Sequence, residues 1–275
     1  MPSVFAGYLP LHFYSVQQYK EEMKHLDITI DLETCSLSSH AAIMQIAAVA
    51  WDRSAPDAEH IFPAKDRNIN IFDFEHPATK PEDTWHFVAN IDLTHQFVCG
   101  KMDFSQDTCN WWSARSQQAK DALMAGDRKR LDQALMLFDS WIRLSMRLLG
   151  TDNVTVWCQG TDFDIPILRH AAKVSGKEDC KPAATPRYFI RDCRTVIYEM
   201  TQLYVQHLME DDGTAAFDVL NNPRMAYKIH EDLPESFGDR EDAHGALYDC
   251  IRSSWFTWQS LHSLSHITHK SSKAS

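Results

Sequence analysis

Acidic side chains at the boundaries of apolar segments constrain what this chain can fold into. Residues 26–32 are rich in β-branched side chains, which predicts a strand, and Asp31 and Glu33 lie at its end. Because these residues are two positions apart, their side chains leave the same face of the strand. Asp164 lies at the predicted start of a helix, and Asp249 lies in the predicted last helix. We expect the fold to bring these four carboxylates into one negatively charged pocket.

The composition is that of a globular protein. At 275 residues, one large domain with a substantial core is expected. Apolar residues make up 44% of the chain and charged residues 24%, which argues against extensive disorder. The net charge of −11 argues mildly against a passive DNA-binding module, which normally presents a basic face. It argues less against a cation-binding site, because bound cations invert the local field around clustered carboxylates.

The seven cysteines indicate a reducing compartment. Their number is odd and no two form a Cys-x-x-Cys pair, so neither a structural zinc site nor a disulfide framework is expected. We predict mostly buried, idle thiols and a cytoplasmic location. Residues 1–14 lack the basic region of a signal peptide, and no segment approaches the roughly 20 apolar residues that cross a bilayer. No membrane partner is therefore expected.

Hydrophobic periodicity predicts both strands and helices along the chain. Strands are predicted at 26–32, 42–51, 60–72, 154–158 and 188–191. Helices are predicted at 13–24, 108–124, 130–149, 194–207 and 243–262, with a further helix that begins at Asp162 as its cap. Loops are predicted at 73–107, where short helices are also expected, at 176–186, and at 209–242, which is expected to be mobile.

Three motifs taken together resemble those of the DEDDh 3′→5′ exonucleases, a family of ribonuclease H-like fold. They are an Asp-x-Glu that ends an apolar strand, a Phe-Asp before apolar residues, and a His-x-Ala-x-x-Asp. The matching residues are Asp31 and Glu33, Phe163 and Asp164, and His244, Ala246 and Asp249. Residues 110–113 and 191–195 are most similar to a phage and bacterial subgroup named for an exoribonuclease-like domain.

The resemblance covers roughly residues 26–260 and implies an α/β fold, with a ribonuclease H-like mixed central sheet flanked by helices. We accordingly divide the chain into an N-terminal extension at 1–25, one exonuclease domain at 26–262, and a disordered tail at 263–275. Related nucleases often form homodimers, so a homodimer is a further expectation.

The resemblance also implies hydrolysis of phosphodiester bonds with two divalent cations. This reaction needs an in-line hydroxide and neutralised charge on the attacking and leaving oxygens, which two ions about 3.5–4 Å apart supply. Hard oxygen ligands favour Mg²⁺ or Mn²⁺. Asp31 would bridge both ions, and Asp164 would support the second ion beside the leaving 3′-oxygen. Glu33 and Asp249 would hold the ion that carries the nucleophilic water, and His244 would act as general base.

Four residues are candidates for contacts with the substrate. Trp111 and Trp112 could stack on a nucleobase, since stacking tolerates any base. Alternatively, one tryptophan belongs to the core and the other packs on a neighbouring element. In the family, the backbone around Leu32 and Thr34 often packs near the terminal nucleotide, which makes both residues candidates.

Three further polar positions have two interpretations each. Arg194 could bind phosphate, or it could form an ion pair with a neighbouring carboxylate. Gln45, inside the second strand, could face the pocket, although a buried amide with satisfied hydrogen bonds is favoured. Asp162 could replace Asp164 as a metal ligand, but Asp164 follows a phenylalanine, as in the family motif.

The sequence therefore predicts a metal-dependent 3′→5′ exonuclease that releases nucleoside 5′-monophosphates from single-stranded ends. Two other classes stay open, namely an inactive relative that binds nucleic acid or a protein, and an endonuclease of the broader ribonuclease H-like group. No motif for reading the 2′-hydroxyl decides between DNA and RNA.

Overall fold

A five-stranded mixed sheet forms the centre of the computed structural model, which describes residues 26–62, 85–124, 126–208, 221–234 and 245–271. The strand order is β3-β2-β1-β4-β5. β2 is antiparallel to β1 and β3, whereas β4 is parallel to β1 and β5. The strands are β1 (Leu26–Thr34), β2 (Ile43–Trp51), β3 (His86–Asn90), β4 (Val154–Cys158) and β5 (Ile190–Asp192). This sheet and its helices confirm the predicted fold class.

Eight helices are seen in the described residues. They are α1 (Leu93–Cys99), α2 (Gln106–Ser113), α3 (Gln117–Met124), α4 (Leu131–Leu149), α5 (Asp164–Val174), α6 (Cys193–Leu208), α7 (Ala226–Ile229) and α8 (Ala246–Ser271). Short 3-10 turns lie at Ala58–His60, Arg187–Phe189 and Pro223–Met225. No described helix has both the length and the apolar character that crossing a bilayer requires.

Helices cover both faces of the sheet. The even-numbered apolar residues of β1 belong to one core together with α4 and α5, and a second core joins the opposite face to α6 and α8. Side chains alternate along a strand, so the odd-numbered residues of β1 face this second core. Thr29 Oγ1 accepts a hydrogen bond of 2.7 Å from Ser254 Oγ in α8. Asp31 and Glu33 leave the same face as Thr29, which directs them towards α8.

The third strand is not where the sequence pattern predicted it. His60 ends a 3-10 turn, and Ile61 and Phe62 are not in a strand, so the prediction of a strand at 60–72 is wrong over its described part. Residues 63–72 lie outside the described residues. The third strand is β3, within a range predicted as loops and short helices. It is only five residues long, and its buried and half-buried positions alternate, a pattern too short to stand out from its irregular surroundings.

Two helix boundaries also differ from prediction. The helix predicted at 108–124 is two helices, because the chain turns after Ala114 and Ser116 Oγ accepts a hydrogen bond of 3.2 Å from the Ala119 N–H. Asp162 does not cap the following helix. That helix begins at Asp164, and the residue at its N-cap, Phe163, offers no side-chain hydrogen bond.

Most of the remaining described elements follow the predictions, but the short helix α7 lies within 209–242, where a loop was predicted. The strands at β1, β2 and β4 and the helices α4 and α6 are confirmed, and β5 is an edge strand that begins two residues later than predicted. The loop at 176–186 contains no helix or strand. The last helix continues to Ser271, beyond its predicted end. The helix predicted at 13–24 and most of 209–242 lie outside the described residues, and the division of the chain into three parts stays a prediction.

All seven cysteines are free thiols, and five of them are buried. Burial raises the pKa of the Cys193 thiol to about 12, so this side chain stays protonated and unreactive near neutral pH. This arrangement agrees with the predicted idle thiols.

Candidate metal centre

Three carboxylates converge at the carboxyl end of β1. Asp31 and Glu33 leave this strand on the side of α8, and Asp249 lies in the first turn of that helix. One oxygen of each carboxylate lies within 4.8 Å of the others, which is close enough for a single cation to bind all three. All three residues are half-buried, so the group is accessible from outside yet shielded from bulk water.

Gln45 of β2 fixes α8 against the sheet and thereby places Asp249. Gln45 pairs with Glu33 across the strands and is buried. Its Oε1 accepts a hydrogen bond of 3.1 Å from the Ala246 N–H, and its Nε2 donates one of 2.8 Å to Asn90 Oδ1. The sequence interpretation of a buried, satisfied amide is confirmed. Sequence reasoning missed that this amide binds the first N–H of the last helix, because the contact joins distant parts of the chain.

Asp164 approaches the cluster from the start of α5. Its side chain is buried, and its carboxylate accepts hydrogen bonds from the backbone N–H groups of Leu32 and of Asp164 itself. Asp164 does not belong to the group of three within 4.8 Å, but its charge acts on Asp31 and raises the pKa of that carboxyl group. Asp162 is exposed. Of the two alternatives in the sequence, the structure places Asp164 at the cluster.

Burial, together with repulsion between neighbouring carboxylates, raises the pKa of Asp31, Glu33 and Asp164. The pKa of Asp31 lies well above its usual range, chiefly because of burial and then because of Asp164, Glu33 and Asp249. Burial, followed by Asp249 and Asp164, raises the pKa of Glu33 to about 8. Burial raises the pKa of Asp164 to about 7 although its hydrogen bonds oppose the shift. Such a site favours either bound protons or a bound cation, and its all-oxygen donors fit Mg²⁺ or Mn²⁺.

A cavity of about 420 Å³ opens beside Glu33. Both tryptophans predicted as substrate contacts line it, together with Leu32, Leu37, Thr34, Asp107, Thr108 and Phe163. Trp112 is buried, and its Nε1 donates a hydrogen bond of 3.1 Å to the Thr34 carbonyl. Trp111 is 43% exposed and meets Trp112 edge-on at 5.0 Å between ring centroids. Trp112 is therefore packed into the wall of the cavity, and Trp111 presents ring surface to the cavity.

Arg194 lies near the carboxylates and lines a different cavity from Trp111. Its charge lowers the pKa of both Asp31 and Asp164, which requires the guanidinium to lie near them. A Cβ atom at Gly160 would lie 3.4 Å from Arg194 Nη1. Gly160 also has a φ of +116°, a conformation that side chains oppose, so glycine both permits this turn and leaves space for the arginine.

The sequence left open whether Arg194 forms an ion pair with a carboxylate. Within the described residues it forms none. The neighbouring Asp192 accepts hydrogen bonds from the N–H groups of Thr161 and Thr195 instead. Arg194 thus lines a second, larger cavity of about 890 Å³, which sequence reasoning did not predict.

His244 lies outside the described residues, which resume at Gly245. Its assignment as general base therefore stays a prediction. In the sequence, His244 precedes Asp249 by five residues.

The mixed sheet, together with acidic side chains at the carboxyl end of its central strand, defines a ribonuclease H-like α/β protein with a candidate metal centre. Residues 26–257 match the family described as the 3'-5' exoribonuclease Rv2179c-like domain, and the chain belongs to that family. A comparison with curated proteins gave no significant match.

Proposed function

We propose that the chain is a metal-dependent 3′→5′ exonuclease that hydrolyses single-stranded nucleic acid from its 3′ end and releases nucleoside 5′-monophosphates. The observation that carries this proposal is the convergence of Asp31, Glu33 and Asp249 within 4.8 Å. Membership of a 3'-5' exoribonuclease family supports it. Because the family description names an exoribonuclease, RNA is the first substrate to test, and DNA is the alternative.

The carboxylates would divide two cations between them. Such ions, when bound, would supply charge neutralisation at the attacking and leaving oxygens and an acidified water. We assign Asp31 as a ligand to both ions, because its charge interacts with that of Glu33, Asp249 and Asp164 alike. Glu33 and Asp249 would complete the site that holds the nucleophilic water, and Asp164, on the other side of Asp31, would complete the second site.

His244 is the proposed general base. An imidazole with an ordinary pKa near 6.5 accepts a proton readily around neutral pH. It precedes Asp249 by five residues in the sequence, and Asp249 is a ligand in the site proposed to hold the water.

The cavity beside Glu33 would hold the terminal nucleobase. The exposed ring face of Trp111 could stack on any base, and Leu32 and Thr34 form the wall next to the carboxylates. Arg115 lies over Trp111, with its guanidinium carbon 4.2 Å from the ring centroid, and so fixes the orientation of that ring. Arg194, whose charge acts on Asp31 and Asp164, would contact phosphate.

The test is digestion of 5′-labelled RNA and DNA oligonucleotides that carry a free or a blocked 3′ end, with Mn²⁺ or with chelator. An exonuclease shortens the free-ended strand one nucleotide at a time and spares the blocked strand. Asp31→Asn and Asp164→Asn should each reduce the rate at least roughly a hundred-fold with unchanged circular dichroism. Asp152→Asn is the matched control, because exposed Asp152 lies at the amino end of β4, away from the cluster.

Three outcomes would contradict the proposal. Full activity of either cluster variant would exclude the assigned ligands. Internal fragments from the blocked strand would identify an endonuclease. Binding without hydrolysis under every cation condition would identify a relative that has lost activity. The free thiols agree with work in a reducing cytoplasm, and gel filtration with light scattering would test the expected homodimer.

A further inference from the structure

The second cavity carries a strong local excess of positive charge in an acidic protein. Its lining includes Arg194, Arg224, Lys228 and Arg252, and the carboxylate in the same lining is Asp232. Burial lowers the pKa of His230, another lining residue, to about 4, so this imidazole adds no charge near neutrality. The chain as a whole carries a net charge of −11. Such a concentration of cations against the overall charge indicates an anionic ligand.

The cations of this cavity form no close ion pair in the part of the chain that the structure describes, although the charge of Arg194 acts on Asp31 and Asp164. None of the four forms an ion pair there. The guanidinium of Arg252 lies over the rings of Tyr227 and Phe256, at 5.4 Å and 5.0 Å from their centroids. Stacking of this kind holds the group in place while leaving its N–H donors available.

The framework beneath the cations is built from contacts between elements. Gln159, which follows β4, donates a hydrogen bond of 3.0 Å from Nε2 to the Tyr227 hydroxyl. This bond ties the short helix α7 to the edge of the sheet that carries the carboxylates. Lys228 follows Tyr227 in the same helix, so its position is set by the same contact. The cavity is therefore a formed feature, with charges supplied by four separate elements.

The second cavity lies next to the carboxylates of the metal centre. Arg252 lies three residues after Asp249 in α8, which places both on one side of the helix. Arg194 lines the cavity and also lowers the pKa of Asp31 and Asp164. The lining shares no residue with the cavity that contains Trp111. Glu33 lines the aromatic cavity and Arg194 lines the basic one, so both cavities adjoin the carboxylate cluster.

We infer that the basic cavity binds the phosphodiester groups of the substrate strand on the 5′ side of the scissile bond. The inference rests on the proposed function, because it takes the aromatic cavity as the seat of the 3′-terminal base. A strand seated there and cut at the carboxylates would continue past Arg194, which lies near Asp31 and Asp164 and lines the basic cavity. Cations from four elements suit several successive phosphates, and Arg and Lys are the side chains that bind them.

Equilibrium binding tests this inference without requiring hydrolysis. Fluorescence anisotropy of labelled RNA, from the dinucleotide to the dodecamer, is measured in chelator for the wild type and for Arg224→Ala/Lys228→Ala. The affinity of the wild type should rise with RNA length, and the affinity of the double variant for the dodecamer should be roughly ten-fold lower than that of the wild type. The slope of log affinity against log salt should fall by about 0.7 for each lost phosphate contact. Arg147→Ala/Lys173→Ala is the matched control, since both residues are exposed and far along their helices from the cluster.

A kinetic comparison separates failure of this inference from failure of the proposed function. The p-nitrophenyl ester of a nucleoside 5′-monophosphate has no phosphates on the 5′ side of its scissile bond. In the double variant, the ratio of kcat/KM on the dodecamer to that on the ester should fall roughly ten-fold. If the affinity of the wild type rises with RNA length but neither substrate is hydrolysed, the proposed function is refuted and the assignment of the basic cavity stands.

Two results would overturn the assignment of the basic cavity. The first is a double variant whose length dependence and salt slope equal those of the wild type. The second is an affinity for RNA that does not increase with RNA length, combined with displacement of the RNA by free mononucleotide or inorganic phosphate. This result would identify a site for a free anion instead of a strand.

Discussion

At the scale of single residues, Glu33 links protonation of the site to stability of the fold. Burial and the neighbouring carboxylates raise its pKa from an ordinary value of 4.5 to about 8. The folded protein without cations therefore keeps a proton that the unfolded chain releases. The corresponding stabilisation is fully present below about pH 4.5 and is lost as the pH rises through about 8.

Replacing Glu33 with Gln should remove most of this pH dependence. In chelator at pH 8, we expect Glu33→Gln to raise the free energy of unfolding by on the order of 1–2 kcal/mol, because the repelling charge is gone. Denaturant titration between pH 5 and pH 8 measures the effect, with Asp152→Asn as control. A variant whose unfolding free energy falls with pH as steeply as that of the wild type would contradict the assigned repulsion.

A second prediction at the scale of single residues concerns Gly160. Gly160→Ala should cost about 2–3 kcal/mol of stability, since its φ of +116° is unfavourable for a side chain and its Cβ would contact Arg194. Gly176→Ala is a matched control, because φ is +64° there and nothing lies within 4 Å of the added atom. It should cost only about 1 kcal/mol. Thermal denaturation compares the two, and equal losses would show that Arg194 moves aside freely.

At the scale of elements, the hydrogen bonds of Gln45 hold α8, β2 and β3 together beside the carboxylates. A helix begins with N–H groups that lack partners within the helix, and here a side chain from a central strand supplies one. The same contact determines where the first turn of α8 lies, and that turn carries Asp249. The packing of one helix is thus directly connected to cation binding.

Replacing Gln45 with Met should weaken both stability and cation binding. The buried Ala246 N–H and the Asn90 side chain lose partners, which should cost about 2–3 kcal/mol. Gln96→Met is the control, because Gln96 is equally buried and bonds the backbone of Ile43 without touching α8. Calorimetric titration with Mn²⁺ should show reduced affinity for the Gln45 variant alone. Equal affinity for Mn²⁺ in both variants would contradict the proposed effect of the Gln45 amide on the position of Asp249.

Local sequence patterns predict some of these elements and miss others. Asp31, Glu33 and Asp164 were located because strand ends and helix starts have signatures within a few residues. β3 was missed because it is short, half-buried and preceded by irregular sequence. The contact from Gln45 to Ala246 and the basic cavity around Tyr227 join segments that are far apart in the chain. Such pairings depend on the packing of α8 and α7, which no local pattern encodes.

At the scale of the whole molecule, the ligands of the candidate metal centre come from both ends of the described fold. β1 is the first described element and α8 is the last, and one cation could bind side chains from both. A bound ion then closes a loop that contains almost the entire domain. Closing a long loop removes conformational entropy from the unfolded chain, as a disulfide does.

Cations should therefore stabilise the protein globally. Saturating Mn²⁺ at about a hundred times its dissociation constant should add about 2.7 kcal/mol, if the unfolded chain does not bind it. Hydrogen exchange should slow together in β1 and α8, and Asp249→Asn should abolish the gain in both. Protection confined to one of these elements would contradict binding across the two ends.

The position of Asp249 near the end of the fold has a consequence for biosynthesis. A ribosome that has translated β1 through α7 has already made Asp31, Glu33 and Asp164, yet the third member of the close carboxylate group is still missing. The growing polypeptide thus lacks a complete cation site until α8 emerges from the exit tunnel and docks on Gln45. Cation binding by this group would then begin only after α8 has been made, so chains that stop before α8 would lack the site.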